Sequence, residues 1–142
     1  MIQEEKDLLL RDLYARLPYG VKFKADNEEC IREIHYIKDE DVYIREYQNL
    51  SYWVDTIKPY LRPMSSMTEE EKEELKQEHF KDERLFAECL TKMKNGDSSM
   101  RGKVIPHFAS DWCNKNHFDY RGLIEKGLAL EAPKGMYKLK EK

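Results

Sequence analysis

Cys113 and His117 lie four residues apart, as do His107 and Asp111, a spacing that stacks two side chains on one face of a helix. Either pair could give two ligands to a metal ion, and a thiol beside an imidazole is the start of a nucleophile pair. Neither set is complete. A structural zinc site closes on four ligands, and His35 and His79 stand far off in sequence. A nucleophile needs an orienting third group and oxyanion donors, and nothing marks them out. GxSxG, HExxH and a Gly-rich phosphate loop are absent from the sequence. The expectation is therefore a chain that is not an enzyme, with no catalytic, metal or cofactor-binding residue and no cofactor.

Binding chemistry is better represented. Tyr36, Tyr43, Tyr47, Tyr52, Trp53 and Tyr60 crowd one stretch, and exposed aromatics on a small sheet could grip a peptide or stack on bases. Tyr43, Tyr47, Tyr52 and Trp53 form the candidate protein-binding set, against the plainer reading that strands favour aromatics for packing alone. The second candidate lies between 98 and 142, where a helix, a turn, a second helix and a terminal hairpin resemble the end of a winged-helix domain. In that family the second helix enters the major groove and the hairpin touches phosphates. The resemblance implies Tyr120, Arg121 and Lys126 facing DNA, with Lys134, Lys138 and Lys140 on the wing. The plainer alternative is a helical hairpin on a two-stranded ribbon with solvated lysines.

Charge separates these two regions. The 142 residues carry a formal charge of −3, too balanced to attract nucleic acid or an anionic membrane strongly. It is a sum of unlike parts: −3 over 1–67, −4 over 68–97 and +4 over 98–142. A protein partner or a second copy of the chain suits the acidic, aromatic front, and nucleic acid suits the tail. A mean hydropathy of −0.86 and the lack of an apolar run near twenty residues argue against a membrane. Cys30, Cys89 and Cys113 form no CxxC and are odd in number, and the charged start Met1–Asp7 lacks the features of a secretion signal. Reduced thiols in the cytoplasm are expected.

The elements that must position these residues follow from periodicity. Leu8, Leu9, Leu13 and Leu17 recur at helical spacing behind Glu4, Glu5 and Asp7, and Pro18 ends that helix. Val21–Ala25 alternates strictly, and Cys30–Ile37, Val42–Tyr47 and Tyr52–Ile57 are rich in β-branched and aromatic residues between short polar breaks. This predicts a four-stranded antiparallel meander, SH3-like as a barrel or as a curved sheet covered by the first helix. Lys58–Pro63 reads as a proline-bracketed connector. Thr68 and Glu71 have capping-box spacing at the start of a second, almost wholly polar helix, expected to be exposed to solvent.

An apolar stripe then predicts a packed helix over 82–94, and Asn95–Ser99 reads as a linker. A further helix starts near Pro106. Asp119 suits the N-cap of a short helix over Tyr120–Lys126 with Gly127 at its end. Leu128–Ala132 and Met136–Leu139 read as a terminal hairpin. The fold class expected is α+β, divided as 1–63 (helix plus SH3-like meander), 64–97 (acidic helical connector) and 98–142 (helix-turn-helix-like pair with terminal hairpin).

Two stretches carry a further resemblance. One is Ala15–Val21 (ARLPYGV) together with Lys58–Glu71 (KPYLRPMSSMTEEE). The other is Asp111–Trp112 followed by His117–Ala129 (HFDYRGLIEKGLA). They resemble a family of uncharacterised bacterial proteins associated with prophages and mobile elements, for which no activity is known. The resemblance implies an intracellular setting and assigns no site residue; with no catalytic motif beside it, the function expected is that of a small non-catalytic binding or adaptor protein of such an element.

Overall fold

The computed structural model describes residues 1–47, 50–80, 82–94, 99–100, 103–104 and 107–137. In chain order its strands are β1 (Lys22–Ala25), β2 (Ile31–Lys38), β3 (Asp41–Ile44), β4 (Ser51–Trp53) and β5 (Ile57–Pro63). They continue as β6 (Ser99–Met100), β7 (Lys103–Val104), β8 (Phe118–Asp119) and β9 (Leu130–Glu131). The helices are α1 (Gln3–Arg16), α2 (Glu69–His79), α3 (Glu83–Lys94) and α4 (His107–Lys115). The chain is α+β, and no helix among the described residues is long and apolar enough to cross a membrane.

Helix α1 forms where the leucine spacing places it. A 3-10 turn over Leu17–Tyr19 carries Pro18, and Gly20 at φ 70° swings the chain into β1, a left-handed conformation that only glycine adopts freely. β1 to β4 then pair consecutively as an antiparallel meander. The sheet does not stop at four strands. β5, read from the sequence as a connector, pairs antiparallel with β1, and β8 and β9 add in parallel on its far side. The result is a seven-stranded mixed sheet in the order β4-β3-β2-β1-β5-β8, with β9 also on β5, in place of the SH3-like four-stranded unit.

The two prolines hide β5, because Pro inside a run argues against an interior strand. Register explains why they fit. The Asp26 N–H donates to Thr56 O at 2.8 Å, and bonded and non-bonded pairs alternate along an antiparallel ladder. Pro59, opposite Phe23, thus falls at a non-bonded position. Its missing N–H faces away from β1, just before the β9 pairing begins at Tyr60. Where β1 and β5 part, the Tyr137 hydroxyl takes over the ladder: it accepts from Lys22 N at 2.9 Å and donates to Tyr60 O at 2.7 Å.

Two buried clusters result. One lies under the sheet, where Leu9 and Leu13 of α1 meet Phe23, Ile34, Val42 and Leu61. The other joins Met64, Met67, Leu75, Cys89, Met93, Trp112, Phe118 and Tyr120. Phe118 and Tyr120 belong to the second cluster and Leu123, Leu128 and Ala129 to the first, so the 98–142 segment packs into both. Helix α2 is only partly exposed: Glu71, Lys72, Glu74 and Lys76 are half-buried, Leu75 is buried, and Trp112 Nε1 donates to Glu74 at 3.1 Å.

The capping box forms, with Glu71 N donating to Thr68 Oγ1 at 3.1 Å and Thr68 N to Glu71 Oε1 at 3.0 Å. Arg62 donates to both carboxylate oxygens of Glu71 at 2.8 and 2.9 Å, while its guanidinium lies 4.1 Å from the centre of the Phe118 ring. Burial opposes ionisation of Glu71, but the Arg62 and Thr68 hydrogen bonds outweigh it and hold the carboxyl below its ordinary range.

Two C-terminal expectations are corrected. Residues 123–127 form turns, not a second helix: Gly122 sits at φ 75°, which breaks helical continuity between Tyr120 and Leu123. The Asp119 carboxylate still accepts from Leu123 N and Ile124 N, both at 2.9 Å. Of the expected strand Leu128–Ala132 only Leu130–Glu131 forms one, β9, which pairs with β5, and Met136 and Tyr137 form no strand with it. Residues 138–142 and most of the expected linker (95–98) lie outside the described residues.

Asp12 and Arg16 tie these parts together, both fully buried. Arg16 Nε and Nη2 donate to the two Asp12 oxygens at 2.8 and 3.1 Å, and Nη2 also donates to Phe118 O at 2.6 Å. Arg121 Nε stands 3.6 Å from Asp12 Oδ1. Removing one member of a buried pair leaves a charge uncompensated, which costs about 3–5 kcal/mol. Asp12→Ala should therefore lower unfolding free energy by about that amount in urea titrations, and Asp12→Leu with Arg16→Met should regain most of it.

Candidate functional site

The outer face of β2, β3 and β4 is built by register. Val42 and Ile44 point into the core, so Asp41 and Tyr43 point out. β2 reaches the same face by a register shift between Ile34 and Tyr36, which lets both Ile34 and Ile37 bury while Tyr36 stands opposite Tyr43. Such a bulge re-aims a side chain without breaking the sheet. The Tyr36 and Tyr43 rings stack with centroids 4.5 Å apart and planes 5° from parallel, and His35 meets Tyr36 edge-on at 5.4 Å. On β4, Ser51 faces out beside Tyr43 and Trp53 faces out beside Asp41. Trp53 is 62% exposed and Tyr36 43%.

The candidate protein-binding set therefore divides. Tyr43 and Trp53 share the outer face. Tyr47 is exposed beyond the end of β3, with the Arg32 guanidinium 5.6 Å from its ring centre. Tyr52, paired with Val42, turns the other way: its ring packs edge-on against Phe23 at 5.4 Å and its hydroxyl donates to Glu28. Burial and the Glu28 carboxylate push the Tyr52 hydroxyl above its ordinary range. Tyr36, left out of that set, belongs to the surface; its place depends on the β2 bulge, which no sequence pattern announces.

The candidate nucleic-acid residues are scattered. Tyr120 is 2% exposed, held between guanidinium groups, with Arg121 4.8 Å and Arg16 5.6 Å from its ring centre. Arg121 turns inward to Asp12. Lys126 and Lys134 are exposed, and Lys134 borders an open groove of about 580 Å³ with Lys22, Arg32, Glu33 and Met136. Lys138 and Lys140 lie outside the described residues.

The Cys113 and His117 pair does not converge. Cys113 is buried against Met93 Sδ, 3.5 Å from its sulfur, and burial pushes its thiol up to about 12. His117 lies past the end of α4 at φ 65° and stacks on Tyr137, with centroids 3.6 Å apart. Among the described residues no group of three or more His, Cys, Asp or Glu is gathered as for a metal ion. The His107 side chain is outside the description.

Comparison with protein-family models, curated proteins and solved structures gives no match to this chain. The outer aromatic face is the candidate site on geometry alone.

His117 generates a pH prediction. Burial, then the charges of Arg16, Arg62 and Lys22, lower its pKa to about 3 from 6.5. Below pH 6.5 the unfolded chain takes up a proton that the folded chain refuses, so stability is full above pH 6.5 and is lost on acidification toward 3. The slope is at most about 1.4 kcal/mol per pH unit. His117→Asn, whose side chain tolerates the left-handed backbone, should remove that part of the slope in denaturation measured between pH 7 and 4.

Proposed function

We propose that this chain is a small, non-catalytic binding protein that holds a protein partner against the outer face of β2, β3 and β4. The observation that carries the reading is the grouping of Tyr36, Tyr43 and Trp53 on one exposed face at the open end of the sheet. Core packing accounts for Tyr52 and Phe23, but it uses neither Trp53 nor the outer side of the tyrosine stack. Large aromatics left in water are the side chains whose burial contributes most to an interface, and Trp and Tyr lead among the residues whose truncation weakens binding. A cytoplasmic adaptor of a phage or mobile element is the setting suggested by the motifs around Pro18, Pro59 and Gly122. Support for DNA as the partner is weaker, because Arg121 is engaged with Asp12 and Tyr120 is buried.

The test is capture from nuclease-treated extract of the source cells on immobilised full-length chain. A specific partner should be retained by the wild type and by Lys126→Glu/Lys134→Glu, and reduced at least about tenfold by Trp53→Ser or Tyr43→Ser. Capture that vanishes with nuclease, or follows the lysines instead of Trp53, contradicts the proposal.

A further inference from the structure

Resting on that reading, we infer that the partner docks as an extended, basic polypeptide segment that adds a strand to the free edge of β4. β4 ends the sheet path, with no strand beyond it among the described residues. Its backbone groups can be assigned. The Val54 N–H donates to Glu40 O at 2.9 Å, which makes that pair a bonded one. Alternation then makes Trp53 opposite Asp41 and Ser51 opposite Tyr43 non-bonded pairs. The N–H groups of Ser51 and Trp53 and the carbonyl of Ser51 therefore point away from β3. The Trp53 carbonyl is already taken by Thr56 Oγ1 at 2.8 Å. Two donors and an acceptor stand in line, the arrangement that an incoming strand pairs with.

β4 is short, three residues, and shortness blunts an edge, but the side-chain defences are missing. Natural edge strands carry lysine, proline or a bulge to discourage pairing, whereas Leu50, Ser51 and Trp53 are uncharged and exposed. The charge around them selects the partner. Residues 38–55 hold Lys38 and Arg45 against Asp39, Glu40, Asp41, Glu46 and Asp55, a net of −3. Lys6 of α1 answers Glu40 and Asp55 at 3.1 and 3.6 Å, Lys38 stands opposite Asp41, Arg32 lies 3.6 Å from Glu46 and Arg45 pairs with Glu33 at 2.8 Å; the surplus remains negative. A second copy would bring the same surplus and be repelled. A lysine or arginine on the incoming strand, opposite Trp53, would lie along the indole with its charge directed at Asp41 on the far side of the ring, since Asp41 and Trp53 are paired across the ladder. Carboxylate plus exposed indole is a pairing that attracts cations.

The probe is an acetylated, amidated octapeptide of alternating Lys and Val, titrated into the isotope-labelled full-length chain and followed by amide and indole resonances. Saturable shifts of the Ser51 and Trp53 signals are expected. Binding should weaken at least about tenfold when Lys is replaced by Glu, when alternate peptide nitrogens are methylated, and in Trp53→Ala. Equal binding of the Glu peptide overturns the charge selection. Equal binding of the methylated peptide, with loss in Trp53→Ala, overturns strand addition while leaving the aromatic face as the docking site. Shifts confined to other residues, or tighter binding of oligo(dT) at Ser51 and Trp53, overturn both. The methylated peptide leaves the protein unaltered, so a folding defect cannot mimic the result.

Discussion

An arginine sealed from water must be given acceptors by the protein itself, and the position of Arg16 makes that a constraint on the whole chain. Asp12, one turn earlier, supplies two oxygens. The third contact is Phe118 O, 102 residues away. Meeting it brings β8 alongside β5, with Arg62 N donating to His117 O at 2.7 Å. It also fixes the Phe118 ring, which lies between the Arg62 guanidinium and Trp112, whose ring stacks on it at 5.7 Å. Glu71, which neutralises Arg62, starts α2. One buried cation on the first helix is thus linked to the last third of the chain. Buried pairs of this kind contribute little net stability compared with apolar packing; what this one supplies is a fixed arrangement of α1, β8 and the residues that follow.

That arrangement settles which face of the meander is left over. α1 and the 123–129 turns cover the inner face of the sheet through Leu9, Leu13, Leu123 and Leu128. The β5 edge is occupied by β8 and β9, and the Tyr137 hydroxyl bridges the point where β1 and β5 part. The outer face of β2–β4 and the edge of β4 receive no such cover among the described residues. The exposure of Trp53 follows from where the chain has spent its helices, and for that reason it supports a binding role better than aromatic content alone.

Much of the fold is legible in the residues, because some signals are local. The leucine spacing of α1, the alternation of β1 and the Thr68–Glu71 capping box all operate within a few positions, and each forms where it was expected. What was hidden depends on partners far away in sequence. β5 looks like a connector because Pro59 and Pro63 are read without knowing which side of the strand lacks a neighbour. Asp12 and Arg16 look like surface charges on an amphipathic helix, although their four-residue spacing inside a leucine stripe was a usable signal. The second helix of the expected DNA-binding pair is interrupted at Gly122, whose left-handed backbone at φ 75° comes just before the 123–127 turns. The aromatic site is half legible: the crowding of Tyr and Trp picks out Tyr43 and Trp53, whereas the faces taken by Tyr36 and Tyr52 depend on the bulge and on register.

Native-state hydrogen exchange of the full-length chain tests the central claim, that one buried arginine couples the two cores and leaves the β4 edge open. The account predicts that amides of α1, β5 and α4 exchange only through a common opening of the same free energy, while Ser51 and Trp53 exchange at nearly unprotected rates. Independent, easier opening of α4, or strong protection of the Ser51 and Trp53 amides in the free protein, would contradict it.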